Sequence, residues 1–203
     1  MSARISAVTV YCSSSKTIAP VYFDAAEHLG RALARRNWKL VYGGNNVGLM
    51  GRLADAVRAA NGKVIGITPR LLLDKGLADE KCDELIVTDS MRQRKQLLEE
   101  RGDAFITLPG GIGTFEEIFE VLVARSLGYH NKPIVVLNVN GYYDPLLRMI
   151  QHGVNECFIR DGVDRLWFVT DNVDAALEHI EQARVSAPPP PMIPGEAAPS
   201  AIE

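Results

Sequence analysis

Apolar positions along the chain switch repeatedly between the period of a strand and that of a helix. Residues 5 to 12, Ile-Ser-Ala-Val-Thr-Val-Tyr-Cys, form a β-rich run that predicts a first strand and ends in the hydroxyl-rich Ser13-Ser14-Ser15. From Val21 to Asn37, apolar residues at Val21, Ala25, Leu29, Ala32 and Leu33 recur at helical spacing. A second strand, Lys39 to Gly43, runs into the glycine-rich stretch from Gly44 to Gly51 and a helix to about Asn61. Lys63 to Thr68 predicts a third strand stopped by Pro69, and a less regular stretch leads to a fourth, Glu84 to Thr88. Ser90 is placed to cap a helix over Met91 to Arg101. Ala104 to Leu108 then predicts a strand that ends in Pro109-Gly110-Gly111-Ile112-Gly113-Thr114-Phe115-Glu116-Glu117 and opens a further helix. Pro133 to Asn138, a helix from about Tyr143 to Glu156, Leu166 to Val169 and a helix from Val173 to Arg184 complete the alternation.

Several of these strands are near-continuous apolar runs, as expected where helices cover both faces of a parallel sheet. The pattern therefore predicts a doubly wound α/β fold with a mainly parallel sheet. Right-handed crossovers bring the strand-to-helix loops to the carboxyl edge of that sheet. Ser13 and the glycines of both turns, Gly43 and Gly44 in one and Gly110, Gly111 and Gly113 in the other, thus become candidate ligand contacts. Residues 1–184 read as a single domain, and the proline-rich stretch 185–203 reads as a disordered tail.

Composition narrows the partners. The 203 residues are 47% apolar and 23% charged, with a net charge of -3, which leaves no electrostatic footprint for nucleic acid. No apolar run approaches the ~18 residues of a membrane span, and the N-terminus lacks a signal peptide's apolar core, so a cytoplasmic protein acting on a small molecule is expected. Cys12, Cys82 and Cys157 are odd in number and never spaced as Cys-x-x-Cys, which fits free thiols in a reducing compartment. The histidines His28, His130, His152 and His179 have no metal-ligand spacing, so neither a metal nor a cofactor is expected.

Neither glycine turn is a Walker A loop, and Gly111-Ile-Gly113 is followed by Thr-Phe-Glu where the dinucleotide fingerprint needs its third glycine. No Gly-x-Ser-x-Gly elbow is present. The turn at Pro109 does suit an anion, because glycines admit close backbone approach and a helix N-terminus offers free N–H groups. Thr114-Phe115-Glu116-Glu117 also matches a capping box, with Thr114 as cap and Glu117 reaching back, and the local pattern leaves both roles open. Arg92, Arg94 and Lys95 open a helix where cations oppose the dipole; facing an anionic ligand would account for them, as would a solvated face with a Lys95–Glu99 pair.

Taken together, Val41-Tyr-Gly-Gly44 with Gly48-Leu-Met-Gly51, Met91-x-x-Arg94-Lys95 and Pro109-Gly-Gly-x-Gly-Thr-x-Glu-Glu117 resemble the Lonely Guy family of cytokinin riboside 5′-monophosphate phosphoribohydrolases. The resemblance spans residues 5 to about 182. It implies a Rossmann-like fold, a homodimer, and hydrolysis of the N-glycosidic bond of an adenosine-type 5′-monophosphate to free base and ribose 5-phosphate. It makes Arg94 and Glu117 the catalytic pair and gives phosphate binding to Gly110, Gly111, Gly113 and Thr114. Glu84, Lys95 and Glu116 become further substrate contacts. Members have often been labelled lysine decarboxylases, but pyridoxal phosphate chemistry would need a Schiff-base lysine and a pyridine partner.

These residue types suit the implied reaction. Breaking a ribose–base bond builds positive charge on the sugar, which a carboxylate at Glu117 stabilises more in the transition state than in the ground state. Glu116 points about 100° away around the helix, so the two acids cannot flank one bond as in a two-carboxylate glycosidase. Arg94 stays protonated and serves as a fixed charge for the departing purine or the phosphate. Three departures from the family pattern stand out: Asn45 in place of a third glycine, Arg92 in place of a histidine, and Ala124-Arg125-Ser126 where Trp and Gln are frequent. Asn45 and Arg92 motivate an alternative, a nucleotide-binding or sensing protein without turnover. A general AMP nucleosidase would differ only in its preference at N6.

Overall fold

Every strand that the apolar runs predict is formed, shortened or shifted by a residue or two where the backbone turns. The computed structural model describes residues 5–183, and the tail predicted from residue 185 lies outside that range. In chain order the elements are β1 (Ala7–Tyr11), α1 (Pro20–Arg35), β2 (Lys39–Tyr42), α2 (Gly48–Ala59), β3 (Val64–Pro69), α3 (Arg70–Asp74) and β4 (Glu84–Thr88). They continue with α4 (Met91–Arg101), β5 (Ala104–Thr107), α5 (Ile112–Ser126), β6 (Ile134–Leu137), α6 (Asp144–Asn155), β7 (Phe168–Thr170) and α7 (Val173–Gln182). Two details differ from the sequence pattern. The stretch after Pro69 contains the short α3, and the strand expected from Leu166 starts at Phe168 because Val163–Leu166 winds into a 3₁₀ turn.

The sheet has seven strands in the order β4-β3-β2-β1-β5-β6-β7, and every pairing is parallel. Alternate side chains of these strands enter two cores. On one face Val8, Val10 and Leu40 meet Leu29 and Leu33 of α1, Leu53 of α2 and Leu177 of α7. On the other, Tyr11, Val41 and Phe105 meet Leu98 of α4 and Ile118 and Leu122 of α5. Each such aliphatic side chain stabilises the fold by about 1.5–3 kcal/mol relative to exposure. Burial on both faces is what makes the strands read as continuous apolar runs.

The winding positions the crevice. The chain moves outward from β1 through β2, β3 and β4, then returns to lay β5 against the other side of β1, with Tyr11 beside Thr107. Crossovers therefore leave β1 and β5 in opposite directions, and the loops after these strands part at their carboxyl ends, the place where a doubly wound sheet takes its ligand. Cys12, Cys82 and Cys157 are all free. Among the described residues no helix is long and apolar enough to cross a membrane.

Candidate active site

The glycine-rich turn after β5 leads into a helix start that carries no side-chain cap. Gly111 is the N-cap of α5 and no side chain accepts from its first turn, so Thr114 is the third helical residue and Glu117 the sixth. The capping box is thereby overturned: Thr114 and Glu117 are both buried inside the first two turns. The first N–H groups of a helix have no intrahelical partner, and those of α5 face the crevice with the positive end of the dipole. A Cβ at Gly111 or Gly113 would meet nothing within 4 Å, and neither has a positive φ, so packing does not require glycine at either position. Glycine there keeps backbone amides accessible. The turn itself is fixed from below by two tyrosines: Tyr142 donates to Gly110 O at 2.5 Å and Tyr143 to Leu108 O at 2.8 Å.

The other glycine turn is built differently. Leu49 N and Met50 N of α2 donate to the Ser13 carbonyl at 3.0 and 3.3 Å, so this helix N-terminus is already occupied by the loop after β1. Gly44 and Gly48 take the left-handed conformation, at φ 68° and 63°, where a side chain would be strained. Asn45 does not take it; its Oδ1 accepts from Val47 N at 3.0 Å, so an asparagine serves this position without backbone strain. The second turn thus supplies a wall, and the α5 turn supplies the open amides.

Between them stands a buried ion pair. Arg94 Nη1 donates to Glu117 Oε1 at 2.9 Å, with the two side chains 6% and 8% exposed. Arg94 Nε donates to Ile67 O at 3.0 Å, and Nη2 reaches Gly43 O at 3.5 Å. A guanidinium so held can present its charge in only one orientation. Burial pushes the Glu117 carboxyl above the usual range, and the charge and hydrogen bond of Arg94 oppose that rise. Glu117 Oε2 makes no hydrogen bond to a described residue. The pair borders a crevice of about 360 Å³ lined also by Ser13, Gly43, Gly111, Gly113, Thr114 and Glu116.

Other predicted contacts separate into three places. Gly44, Gly110 and Lys95 lie behind the lining residues: Gly44 O accepts from Asp79 N, Gly110 O from Tyr142, and Lys95 Nζ pairs with Glu116 at 2.8 Å and Glu120 at 3.2 Å. This cross-helix pairing stands in place of the Lys95–Glu99 pair that a solvated face would have made. Glu84 is not brought into the crevice. It is the first residue of β4, at the opposite, amino edge of the sheet, and pairs with Arg101 at 3.2 Å. Arg92 is exposed and outside the lining, because it points to the solvent side of α4 while Arg94 points inward. Of the apolar part of the lining, Met50 and Met91 fall inside Gly48-Leu-Met-Gly51 and Met91-x-x-Arg94-Lys95, whereas Leu72 lies in no motif. Cys12 also lines the crevice, but burial, then the Glu117 charge, pushes its thiol far up, so it is no thiolate nucleophile.

The family described as "Possible lysine decarboxylase" matches residues 50–180. A cytokinin riboside 5′-monophosphate phosphoribohydrolase of Mycobacterium tuberculosis is 44% identical over 170 residues, 84% of this chain and 90% of that one. One from Rhodococcoides fascians is 45% identical over 85% of this chain and 88% of its own, and one from Arabidopsis thaliana 41% identical over 88% and 84%. Among solved structures, the molybdenum cofactor binding protein of Rippkaea orientalis aligns with a TM-score of 0.67 at 23% identity, covering 88% of this chain and 97% of that one. The molybdenum cofactor carrier protein of Chlamydomonas reinhardtii aligns at 0.66 and 22%, covering 88% and 98%. At these identities the structures speak to the fold alone. The crevice does not fit pyridoxal phosphate: Lys95 lies outside its lining and is held by Glu116 with its amine pKa raised, whereas a Schiff-base lysine needs it lowered.

Proposed function

The chain belongs to the Lonely Guy family of cytokinin riboside 5′-monophosphate phosphoribohydrolases, and from that premise we propose that it hydrolyses the N-glycosidic bond of such monophosphates to free base and ribose 5-phosphate. The observation that carries this reading is the buried Arg94–Glu117 pair beside the uncapped N-terminus of α5. The phosphate binds the α5 amides with the Thr114 side chain. Glu117 then faces the sugar and stabilises the positive charge that builds as the bond to the base breaks. Its free oxygen orients or deprotonates the attacking water. Arg94 keeps Glu117 ionised and oriented, and its remaining N–H groups face the departing base or the phosphate.

Within this reading the protein acts in the cytoplasm as a homodimer, without nucleic acid or membrane as partner. Ile112, Phe119, Val123 and Leu127 form an exposed apolar stripe along α5, which supports a protein partner on that helix. The reading without turnover loses its motive, since Arg92 is outside the lining and Asn45 is unstrained. Incubation with isopentenyladenosine monophosphate and, separately, AMP, followed by chromatography of the free base, tests the proposal and ranks the two substrates. Base from neither monophosphate would refute it.

A further inference from the structure

Outside the crevice, one buried charged cluster is left without a role. Asp79 lies on the connection between α3 and β4 and is only 2% exposed. Its Oδ2 accepts from the Tyr42 hydroxyl at 2.7 Å and from Arg58 Nη1 at 2.8 Å, and its Oδ1 from Lys81 N at 3.2 Å. Its own N–H donates to Gly44 O at 2.8 Å. Beside it, Asn46 N donates to Leu77 O and Asn46 Nδ2 to Ala78 O, each at 3.3 Å, so residues 77–81 are laced onto the second glycine turn. Burial alone would raise the Asp79 carboxyl, yet the bonds from Tyr42 and Arg58 hold it below the usual range.

Apolar packing could tether a surface connection without desolvating a charge. A fully satisfied buried network instead specifies one arrangement of the backbone around it. Here that backbone is the crevice wall. Gly43 and Asn45 line the crevice, and the Gly43 carbonyl is within reach of Arg94 Nη2. Tyr42 directly precedes Gly43, and Asp79 holds the carbonyl of Gly44. Tyr42, Arg58 and Asp79 are absent from the lining, so any effect on chemistry must pass through this wall.

We propose that Asp79, clamped by Tyr42 and Arg58, is a positioning residue that fixes the Gly43–Asn46 wall and, through Gly43, the orientation of Arg94 toward Glu117. The inference rests on the hydrolytic reading of that pair. A small displacement of a reacting group can cost up to about 100-fold in rate, so the clamp acts on turnover more than on substrate affinity.

The test uses the full chain with four variants of the clamp, Tyr42→Phe, Asp79→Asn, Arg58→Met and Arg58→Lys. The control is Asp83→Ala, whose carboxylate holds Lys63 and Val64 N at the far end of the same connection. Steady-state kinetics are measured on protein folded by circular dichroism, with AMP affinity read by calorimetry. Tyr42→Phe removes one hydroxyl and keeps the ring, so it stays informative if Asp79→Asn does not fold. The clamp predicts kcat down about 10- to 100-fold in Tyr42→Phe and Asp79→Asn with KM changed far less. It also predicts more activity in Arg58→Lys than in Arg58→Met, and wild-type kcat in Asp83→Ala. Wild-type kcat in folded Tyr42→Phe and Asp79→Asn, or an Asp83→Ala loss equal to theirs, would overturn it. Absence of turnover in the unaltered protein would refute the hydrolytic reading instead, and the clamp, which acts on that turnover, would fall with it.

Discussion

Substitution of Glu117 separates what the ion pair does for the fold from what it does for chemistry. With the Arg94 and Glu117 side chains 6% and 8% exposed, Glu117→Leu strands a guanidinium in a dry site. Breaking a buried pair in this way costs about 3–5 kcal/mol. Arg94→Met combined with Glu117→Leu removes the stranded charge but leaves the Ile67 carbonyl short of its donor, a cost of about 1–3 kcal/mol, so the double variant is the more stable of the two. Glu117→Gln keeps the acceptor for Arg94 and loses only the charge. It stays folded, and turnover falls by about 10²- to 10³-fold, the range found when one electrostatic stabiliser is removed. Urea unfolding and chromatographic base release on the same preparations read both effects. The raised Glu117 pKa adds a sign: the carboxylate must be ionised, so the acid limb of the unaltered enzyme's kcat/KM profile lies above the ordinary carboxylate range and disappears in Glu117→Gln. Full activity in Glu117→Gln, or a Glu117→Leu cost under about 1 kcal/mol, would refute the argument, the second by showing that the pair is not desolvated.

Gly113→Ala places a methyl in open space within α5, so stability holds or rises by about 0.5–1 kcal/mol while KM rises as the amides are obstructed. An unchanged KM would deny Gly113 a place in phosphate binding. Val123→Glu, on the exposed stripe of α5, converts a dimer to monomer in light scattering if that stripe carries the interface; a monomeric parent would exclude the dimer outright. Burial, the leading cause, holds His130 near pKa 4 against an ordinary 6.5, with the charges of Lys132 and Arg125 adding to the depression. As pH falls below 6.5 the unfolded chain takes up a proton that the folded one refuses until about pH 4, so stability is lost across that window, by on the order of 1–2 kcal/mol at this partly solvated ring. Urea titrations of the parent and His130→Gln at pH 7.5 and 5 measure it; equal pH slopes would refute the assignment.

What the sequence discloses and what it hides divide along the range of the interactions. Strands buried on both faces announce themselves by composition, and parallel winding follows from the alternation with helices, so the carboxyl edge and its loops are legible. The Ser90 cap is a three-residue contact, and it forms, accepting from Gln93 N at 3.2 Å. Thr114-x-x-Glu117 has the same local credentials yet does not form, because Glu117 finds Arg94, 23 positions away, and sinks with it. Lys95 likewise leaves Glu99 for Glu116 and Glu120 on α5. Glu84 is carried over from the resemblance alone; as the first residue of β4 it stands at the amino edge, which the winding already separates from the crevice. Tyr142 and Tyr143, which fix the turn before α5, have no signature beyond a cluster of aromatics ahead of a helix.

The unequal fates of the two glycine turns bear on how a nucleotide would lie. Because Ser13 O occupies the α2 amides and Ser90 caps α4, the uncapped start of α5 is the helix N-terminus left open to the crevice among the described residues, which gives one phosphate a place to go. From Gly113 the helix rises about 1.5 Å per residue, which sets Glu117 roughly 6 Å along the axis. That is the reach of a ribose 5-phosphate from its phosphate to its anomeric carbon. Glu116, one residue nearer, is rotated to the rim and engaged by Lys95, so it cannot substitute. In the proposed pose, a phosphate anchored on α5 would bring the glycosidic bond to Glu117 and leave the base toward Met50, Leu72 and Met91. A nucleoside without its 5′-phosphate has no such anchor. It should be turned over with kcat/KM reduced by at least about 10²-fold, through kcat as well as KM, since remote binding energy is what aligns the reacting centre. Equal efficiency on nucleoside and monophosphate would mean that the α5 amides do not hold the phosphate.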